Sequence, residues 1–351
     1  MTEPIRVLVV DDSATARALL FEMLTHDPEI RIVGEAGTGE AAIKAAHRLR
    51  PSLITMDVHM PGMDGLEATR QIMSTAPTPI VIVSSATTSS AVNLSFDATA
   101  AGALTVIAKP EGPSAAQFNS RRAEFISLIR AMSEVKVVRR WLRPGDAVNT
   151  PASVPTVASG KTAQIVAIAA STGGPAVLKR IFRSMPADFP LPILVVQHIA
   201  RGFARGLVSW LGDGSLLKVK VADDGERLRS GTVYIAPEDR HLGVGRGGFV
   251  NLSTAPEIGG FRPSATFLFQ SVASVYGTRA AAVILTGMGR DGVDGLADIA
   301  HTGGQVIAQD EESCVVYGMP QEAVRAGVVD TILSASQIGG YLGDISVGKS
   351  A

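Results

Sequence analysis

The feature that most constrains the fold is a recurrence. Short runs of β-branched and small apolar residues, each ending in a residue that carries chemistry, alternate with stretches whose apolar positions follow helical spacing. The sharpest instance is Ile165–Pro175, IVAIAASTGGP. A run this short and uniformly apolar fits a strand buried on both faces, and glycines followed by proline fit a tight turn into a helix. That reading puts Ser171 at the carboxyl end of a strand and beside a helix N-terminus. In an open α/β sheet this is the crevice where chemistry is usually found, because unpaired backbone donors face it. Two uses of the turn compete. A phosphate cradle lacks the lysine of a Walker loop here, and a nucleophile turn lacks the G-x-S-x-G frame, so a base and an orienting acid must be sought elsewhere.

With 351 residues and 46% apolar content, the chain is long enough for two domains that each bury a core. A formal net charge of −1 builds in no long-range attraction to nucleic acid or to an anionic membrane. The single cysteine, Cys314, makes no intrachain disulfide and suits a reducing compartment, where it reads as a small core residue. The apolar run Ile5–Val10 contains Arg6 and ends in Asp11-Asp12, unlike a signal peptide, and no run approaches the ~20 apolar residues of a membrane span. The expectation is a cytoplasmic protein without membrane insertion.

In the first half, strands are expected at Ile5–Val10, Ile32-Val33, Leu53–Met56, Pro79–Val83 and Leu104–Ala108, with helical patterns between them, including Ala41–Leu49. Such alternation argues for a parallel sheet covered on both faces. Its strand ends carry Asp11, Asp12, Asp57, Ser84 and Lys109. Three carboxylates together are unfavourable without a cation, and all-oxygen ligation suits Mg²⁺. The segments VVDDSATAR, ITMDVHMPGMDG, VIVSS and AKP as a set resemble the signatures of a response-regulator receiver domain, over residues 1 to about 130. The resemblance implies a flavodoxin-like fold with Asp57 as phosphoacceptor and Asp11, Asp12 and Asp57 holding Mg²⁺. It further implies Ser84 and Lys109 as the switch hydroxyl and its paired cation, and a histidine kinase as phosphodonor. Two departures stand out: Val106 occupies the place of the switch aromatic, and His59 stands where a glutamate is common beside the phosphosite.

From Glu134 to about Thr162 the chain turns basic, then rich in Pro, Ser, Thr and Ala without sustained periodicity, and reads as a linker. Arg139, Arg140 and Arg143 read as solvated, since no helix-turn-helix pattern follows, and Trp141 as an anchor for the linker. The expected division is 1–132, a linker over 133–162, and a second domain over 163–351.

In the second half, Val177–Phe182 continues the helix after Ser171. Pro192–Val196 forms a strand ending at Gln197-His198, and Ala281–Leu285 a strand running into TGMGRDG with Met288 and Asp291. Ser171, His198 and Asp291 thus share one type of location, as a nucleophile, base and orienting acid require. The residues alone leave His241 and His301 as rival bases and Asp294, Asp298 and Asp310 as rival acids. The ordered segments AASTGGP, VVQHI, VYIAPEDRHL, LTGMGRDG and AQDEESCVVYGMP resemble the catalytic domain of the chemotaxis protein-glutamate methylesterases, over roughly residues 163–335. A receiver in front of it is that family's usual architecture. The resemblance implies a Rossmann-like esterase domain with a β-hairpin insertion, Ser171 as nucleophile, His198 as base and Asp291 as its partner. The amides near Thr172 and Met288 are the candidate oxyanion donors. The implied reaction is hydrolysis of glutamyl methyl esters on methylated chemoreceptor cytoplasmic domains, releasing methanol, with deamidation of receptor glutamines by the same acyl chemistry. The esterase is expected to need no cofactor. Where the family often reads H-R-P-S-V-D, this chain reads Phe261-Arg262-Pro263-Ser264-Ala265-Thr266, and QHIARGFARGL lacks the proline and polar residue usual after the histidine.

Overall fold

The computed structural model describes residues 3–84, 89–110, 112, 118–135, 137 and 162–347. The connector residues Arg139, Arg140, Trp141 and Arg143 lie outside the described residues. The chain divides into two compact units on either side of Gly145.

The first unit runs β1 (Ile5–Val10), α1 (Ala14–Thr25), β2 (Ile30–Ala36), α2 (Gly39–Leu49), β3 (Leu53–Met56), α3 (Gly65–Thr75), β4 (Ile80–Ser84), α4 (Ser89–Ala100), β5 (Thr105–Ala108) and α5 (Phe118–Ser133). Its parallel sheet has the order β2-β1-β3-β4-β5. The chain winds outward in both directions from β1 and β3, so the crevice of the order reversal lies between the ends of these two strands. Helix starts are marked locally: Ser13, Thr38 and Asp64 cap α1, α2 and α3 by accepting the N–H of Ala16, Ala41 and Glu67. Strand β2 is longer than its apolar pair Ile32-Val33 suggests. Its ladder with β1 shifts register after Ile32 and continues through Gly34, Glu35 and Ala36, so pairing with a strongly apolar neighbour extends a segment of poor strand propensity.

The second unit runs β6 (Ile165–Ala170), α6 (Gly174–Ser184), β7 (Ile193–Gln197), α7 (Ala204–Gly212), β8 (Lys218–Val221), β9 (Thr232–Ile235), β10 (His241–Gly245), β11 (Phe249–Ser253), α8 (Ala265–Tyr276), β12 (Ala280–Ile284), α9 (Val293–His301), β13 (Gln305–Gln309), α10 (Met319–Arg325), β14 (Thr331–Leu333) and α11 (Ile338–Val347). Its parallel sheet has the order β14-β13-β12-β6-β7-β9-β8, and β10 with β11 forms the separate antiparallel hairpin. From β6 the chain moves to β7 on one side and later returns to β12 on the other. Every residue of β6 and β12 is buried. Full burial of Ile165, Val166 and Ile168 contributes about 1.5–3 kcal/mol each. Leu268, Phe269 and Val272 of α8 pack into the same core as β6 and β12, which fixes the N-terminus of α8 relative to the strand ends. Among the described residues no helix is long and apolar enough to cross a membrane.

Close backbone approach holds the region around Asp57 in the first unit. A Cβ at Gly65, the first residue of α3, would lie 2.0 Å from the Asp57 carbonyl oxygen. Gly65→Ala is expected to lower stability by about 1–3 kcal/mol, read as a shift of the urea midpoint, because backbone rather than a pliant side chain blocks the added methyl.

Candidate active site

Three strand ends of the second unit converge. Ser171 follows β6, its amide donating to the Thr286 carbonyl at 3.0 Å, and His198 follows β7, its amide donating to the Ala170 carbonyl at 2.9 Å. The turn after Ser171 needs glycine at two close approaches. Gly173 has φ +77°, and a Cβ there would sit 2.5 Å from Val315; a Cβ at Gly287 would sit 2.7 Å from the Ser171 Cβ. Pro175 then opens α6.

Asp291 is the anchor. Its Oδ2 accepts from His198 Nε2 at 2.9 Å and from the Ala265 amide at 2.7 Å. Its Oδ1 accepts from Ser264 Oγ at 2.7 Å, Thr266 Oγ1 at 3.0 Å and the Thr266 amide at 3.1 Å. The carboxylate therefore caps the N-terminus of α8 from outside the helix, replacing the side-chain cap that Ser264 does not make. Burial pushes the Asp291 carboxyl up, but the His198 hydrogen bond and charge, with the donors Ser264 and Ala265, outweigh it and leave it at about 2.

With Nε2 directed at Asp291, His198 Nδ1 is buried and has no hydrogen-bond partner among the described residues. The imidazole lies against Phe261, ring centroids 4.2 Å apart and planes 8° from parallel. Phe261 is held there by reciprocal backbone bonds with Ile258 across Gly259 and Gly260. The amides of Thr172 and Met288 have no protein acceptor among the described residues, which leaves two donors free, one next to Ser171 in the chain and one next to Gly287, where an added Cβ would meet Ser171.

The rivals separate by environment. His241 is fully buried, with Nε2 on the Pro256 carbonyl, Nδ1 accepting from the Ser264 amide and its ring stacked on Phe267, so both nitrogens are occupied. His301 is exposed at the end of α9. Asp294 is exposed and pairs with Arg290, Asp310 bonds Ser313, and Asp298 sits on α9; Asp291 is the one of these acids in contact with a histidine. Burial pushes the Cys314 thiol up to about 12, with Asp310 adding to the rise, so it stays protonated at neutral pH.

Several supporting residues were not evident from the sequence. Ser264 and Thr266 lie in the segment that departs from the family pattern, yet both donate to Asp291. Thr286 Oγ1 donates to the Thr172 carbonyl at 2.9 Å and accepts the amides of Val315 and Val316, while its own amide donates to Gln309 Oε1. Buried polar residues at strand ends, such as Gln197, Thr286 and Gln309, were the available signal.

In the first unit, Asp11, Asp12 and Asp57 bring carboxylate oxygens within 4.8 Å of one another. Lys109 Nζ lies 2.8 Å from both Asp11 and Asp57. Burial pushes the Asp57 carboxyl above the ordinary range against the opposing bond and charge of Lys109, with Asp11 adding to the rise. Burial works against the Lys109 ammonium, but its bonds to Asp11 and Asp57 prevail and raise it. One ammonium facing three acids leaves negative charge and an all-oxygen donor set, which fits a divalent cation such as Mg²⁺. Ser84 Oγ is buried without a partner among the described residues, Val106 is buried on β5, and His59 is exposed with its amide 3.4 Å from Asp57 Oδ1.

Because the folded Asp291 carboxyl titrates near 2 instead of 3.8, the ionised form favours the fold. Its contribution, about 2 kcal/mol, is whole above about pH 4 and is lost as pH falls through 2. Between those values the wild-type chain is expected to lose about that much more stability than Asp291→Asn, measured by urea unfolding.

A family model described as CheB methylesterase matches residues 166–342, and one described as response regulator receiver domain matches residues 7–117. A Myxococcus xanthus protein named protein-glutamate methylesterase/protein-glutamine glutaminase 4 is 49% identical over 344 residues, 97% of this chain and 96% of that protein. A Nitrosospira multiformis protein named protein-glutamate methylesterase/protein-glutamine glutaminase is 46% identical over 96% of each chain. The crystal structure of the Thermotoga maritima CheB methylesterase catalytic domain matches with a TM-score of 0.51 and 43% identity, covering 52% of this chain and 99% of that one. With relatives aligned along nearly the whole length, the chain belongs to the CheB methylesterase family, and a response regulator receiver domain precedes its methylesterase domain.

Proposed function

We propose that the second domain hydrolyses glutamyl methyl esters on chemoreceptor cytoplasmic domains and deamidates receptor glutamines, under control of receiver phosphorylation by a chemotaxis histidine kinase, giving sensory adaptation in the cytoplasm. The observation that carries the reading is the His198–Asp291 pair, with an unpartnered Nδ1, at the strand end adjacent to the one that carries Ser171, together with two free amides. Ser171 Oγ attacks the ester carbonyl while His198 Nδ1 takes its proton. Asp291 holds the tautomer and offsets the imidazolium charge. The amides of Thr172 and Met288 receive the oxyanion. His198 returns the proton to the departing methoxide, so methanol leaves, and water then cleaves the acyl-serine by the same base. A glutamine carboxamide follows the same course with ammonia as leaving group. No group beyond these side chains and amides is required by the ester chemistry.

In the receiver, Asp57 accepts the phosphoryl group, with Lys109 and Ser84 facing the new charge. Asp11, Asp12 and Asp57 would hold Mg²⁺, whose charge would offset that of the phosphoryl oxygens. A valine at 106 offers no aromatic ring to swing between exposed and buried positions, so the signal passes by another route. A phosphate switch and an acyl-transfer site in one chain favour gating of the second by the first.

Methanol release from a methylated receptor cytoplasmic fragment tests the reading, with and without a small phosphodonor and Mg²⁺. Release that rises with phosphodonor is expected from wild type, none above background from Ser171→Ala, and only unstimulated release from Asp57→Asn. Wild-type release no faster than Ser171→Ala, with Asp57 phosphorylated, would point to a binding module and end the esterase reading. Asp291→Asn is expected to lower kcat on the order of 10⁴-fold, since the imidazole loses its orienting charge.

A further inference from the structure

Gln197, the last residue of β7, is 3% exposed and lies next to the base in sequence, yet the reaction as described does not use it. Its Nε2 donates two hydrogen bonds at 2.8 Å, one to the carbonyl of Ser171 and one to the carbonyl of His198. A single amide group therefore ties the backbone of nucleophile and base together. Its Oε1 is buried with no partner among the described residues, and a Cβ at Gly174 would lie 2.2 Å from it, so the amide is wedged against the start of α6. An unsatisfied buried acceptor has a cost, and the two donated bonds are what the site gains in exchange.

The geometry points to Gln197 as the residue that sets the oxyanion donor. The peptide joining Ser171 to Thr172 is planar and trans, so its C=O and the Thr172 N–H point in opposite directions. Gln197 Nε2 and the Gly174 amide, the latter at 2.8 Å, both hold the Ser171 carbonyl and thereby aim the Thr172 N–H away from themselves. On the next carbonyl, that of Thr172, Thr286 Oγ1 acts from the β12 side at 2.9 Å. Donation into a peptide carbonyl also polarises its N–H and strengthens it as a donor. Gln197 is a positioning residue: it touches no reacting atom and acts through Thr172 and His198. This rests on the reading of Thr172 as an oxyanion donor.

The test uses the full chain with Gln197→Met, which keeps bulk but removes both donors, and Gln197→Asn, which keeps an amide but withdraws it from the carbonyls. On a methylated receptor fragment both are expected to lower kcat about 10–100-fold with KM within about twofold, less than loss of a whole oxyanion donor. Inhibition by butylboronic acid, which forms a tetrahedral adduct with the serine, is expected to weaken in parallel, while near-UV circular dichroism stays native. An unchanged kcat, a change in KM alone, or an unchanged boronate affinity overturns the role. So does loss of the near-UV signal in both variants, which would assign Gln197 to the core. Ser171→Ala separates the two possible failures. Wild type no faster than this variant removes the esterase reading, whereas active wild type matched by the Gln197 variants removes only the role of Gln197.

Discussion

The carboxylate of Asp291 at the N-terminus of α8 is the interaction on which the catalytic unit depends. Five donors converge on two oxygens: the His198 ring, the hydroxyls of Ser264 and Thr266, and the amides of Ala265 and Thr266, two helix amides that would otherwise lack a partner. The arrangement locks the loop after β12 to the start of α8, and α8 in turn packs on the core around β6. It leaves His198 with one ring nitrogen occupied and the other free. A helix terminus, an anion and a tautomer are settled by the same contact.

The two units use the same residue type in opposite ways. Asp57 is buried among acids and held by one ammonium, and its proton affinity rises. Asp291 is buried among donors, and its proton affinity falls to about 2. Both belong to loops that leave the carboxyl ends of parallel strands, Asp57 directly after β3 and Asp291 further along the loop after β12, each strand flanking the point where strand order reverses. Backbone position is shared, and burial raises both carboxyls; the difference is that the His198 bond and charge, with Ser264 and Ala265, outweigh burial at Asp291, whereas the bond and charge of Lys109 do not at Asp57.

Much of this was legible in the sequence because buried parallel strands are continuous apolar runs and their first polar residues mark strand ends. That rule alone located Ser171, His198 and the acidic cluster. It did not choose between Asp291 and Asp294, or between His198 and His241, since the choice depends on which nitrogen already has a partner. Ser264, Thr266, Gln197 and Thr286 were missed for a related reason. A helix cap is visible locally only when the capping side chain is close in sequence, and here the cap comes from Asp291, 26 residues beyond Ala265. Short or edge strands such as β8 and β14 lacked the long apolar run that marked β6.

The separation of the parts along the chain bears on biosynthesis. His198 and Asp291 are 93 residues apart, Thr286 and Thr172 are 114 apart, and β6 meets its neighbour β12 only after β7 to β11 have been made. A chain emerging from the ribosome holds the serine long before the strand that completes its surroundings, and pairing so distant in sequence forms late and slowly. On the proposed mechanism the hydrolase is therefore silent until the chain has reached Asp291, and a product that ends before it carries the Ser171 hydroxyl without the carboxylate that orients its base.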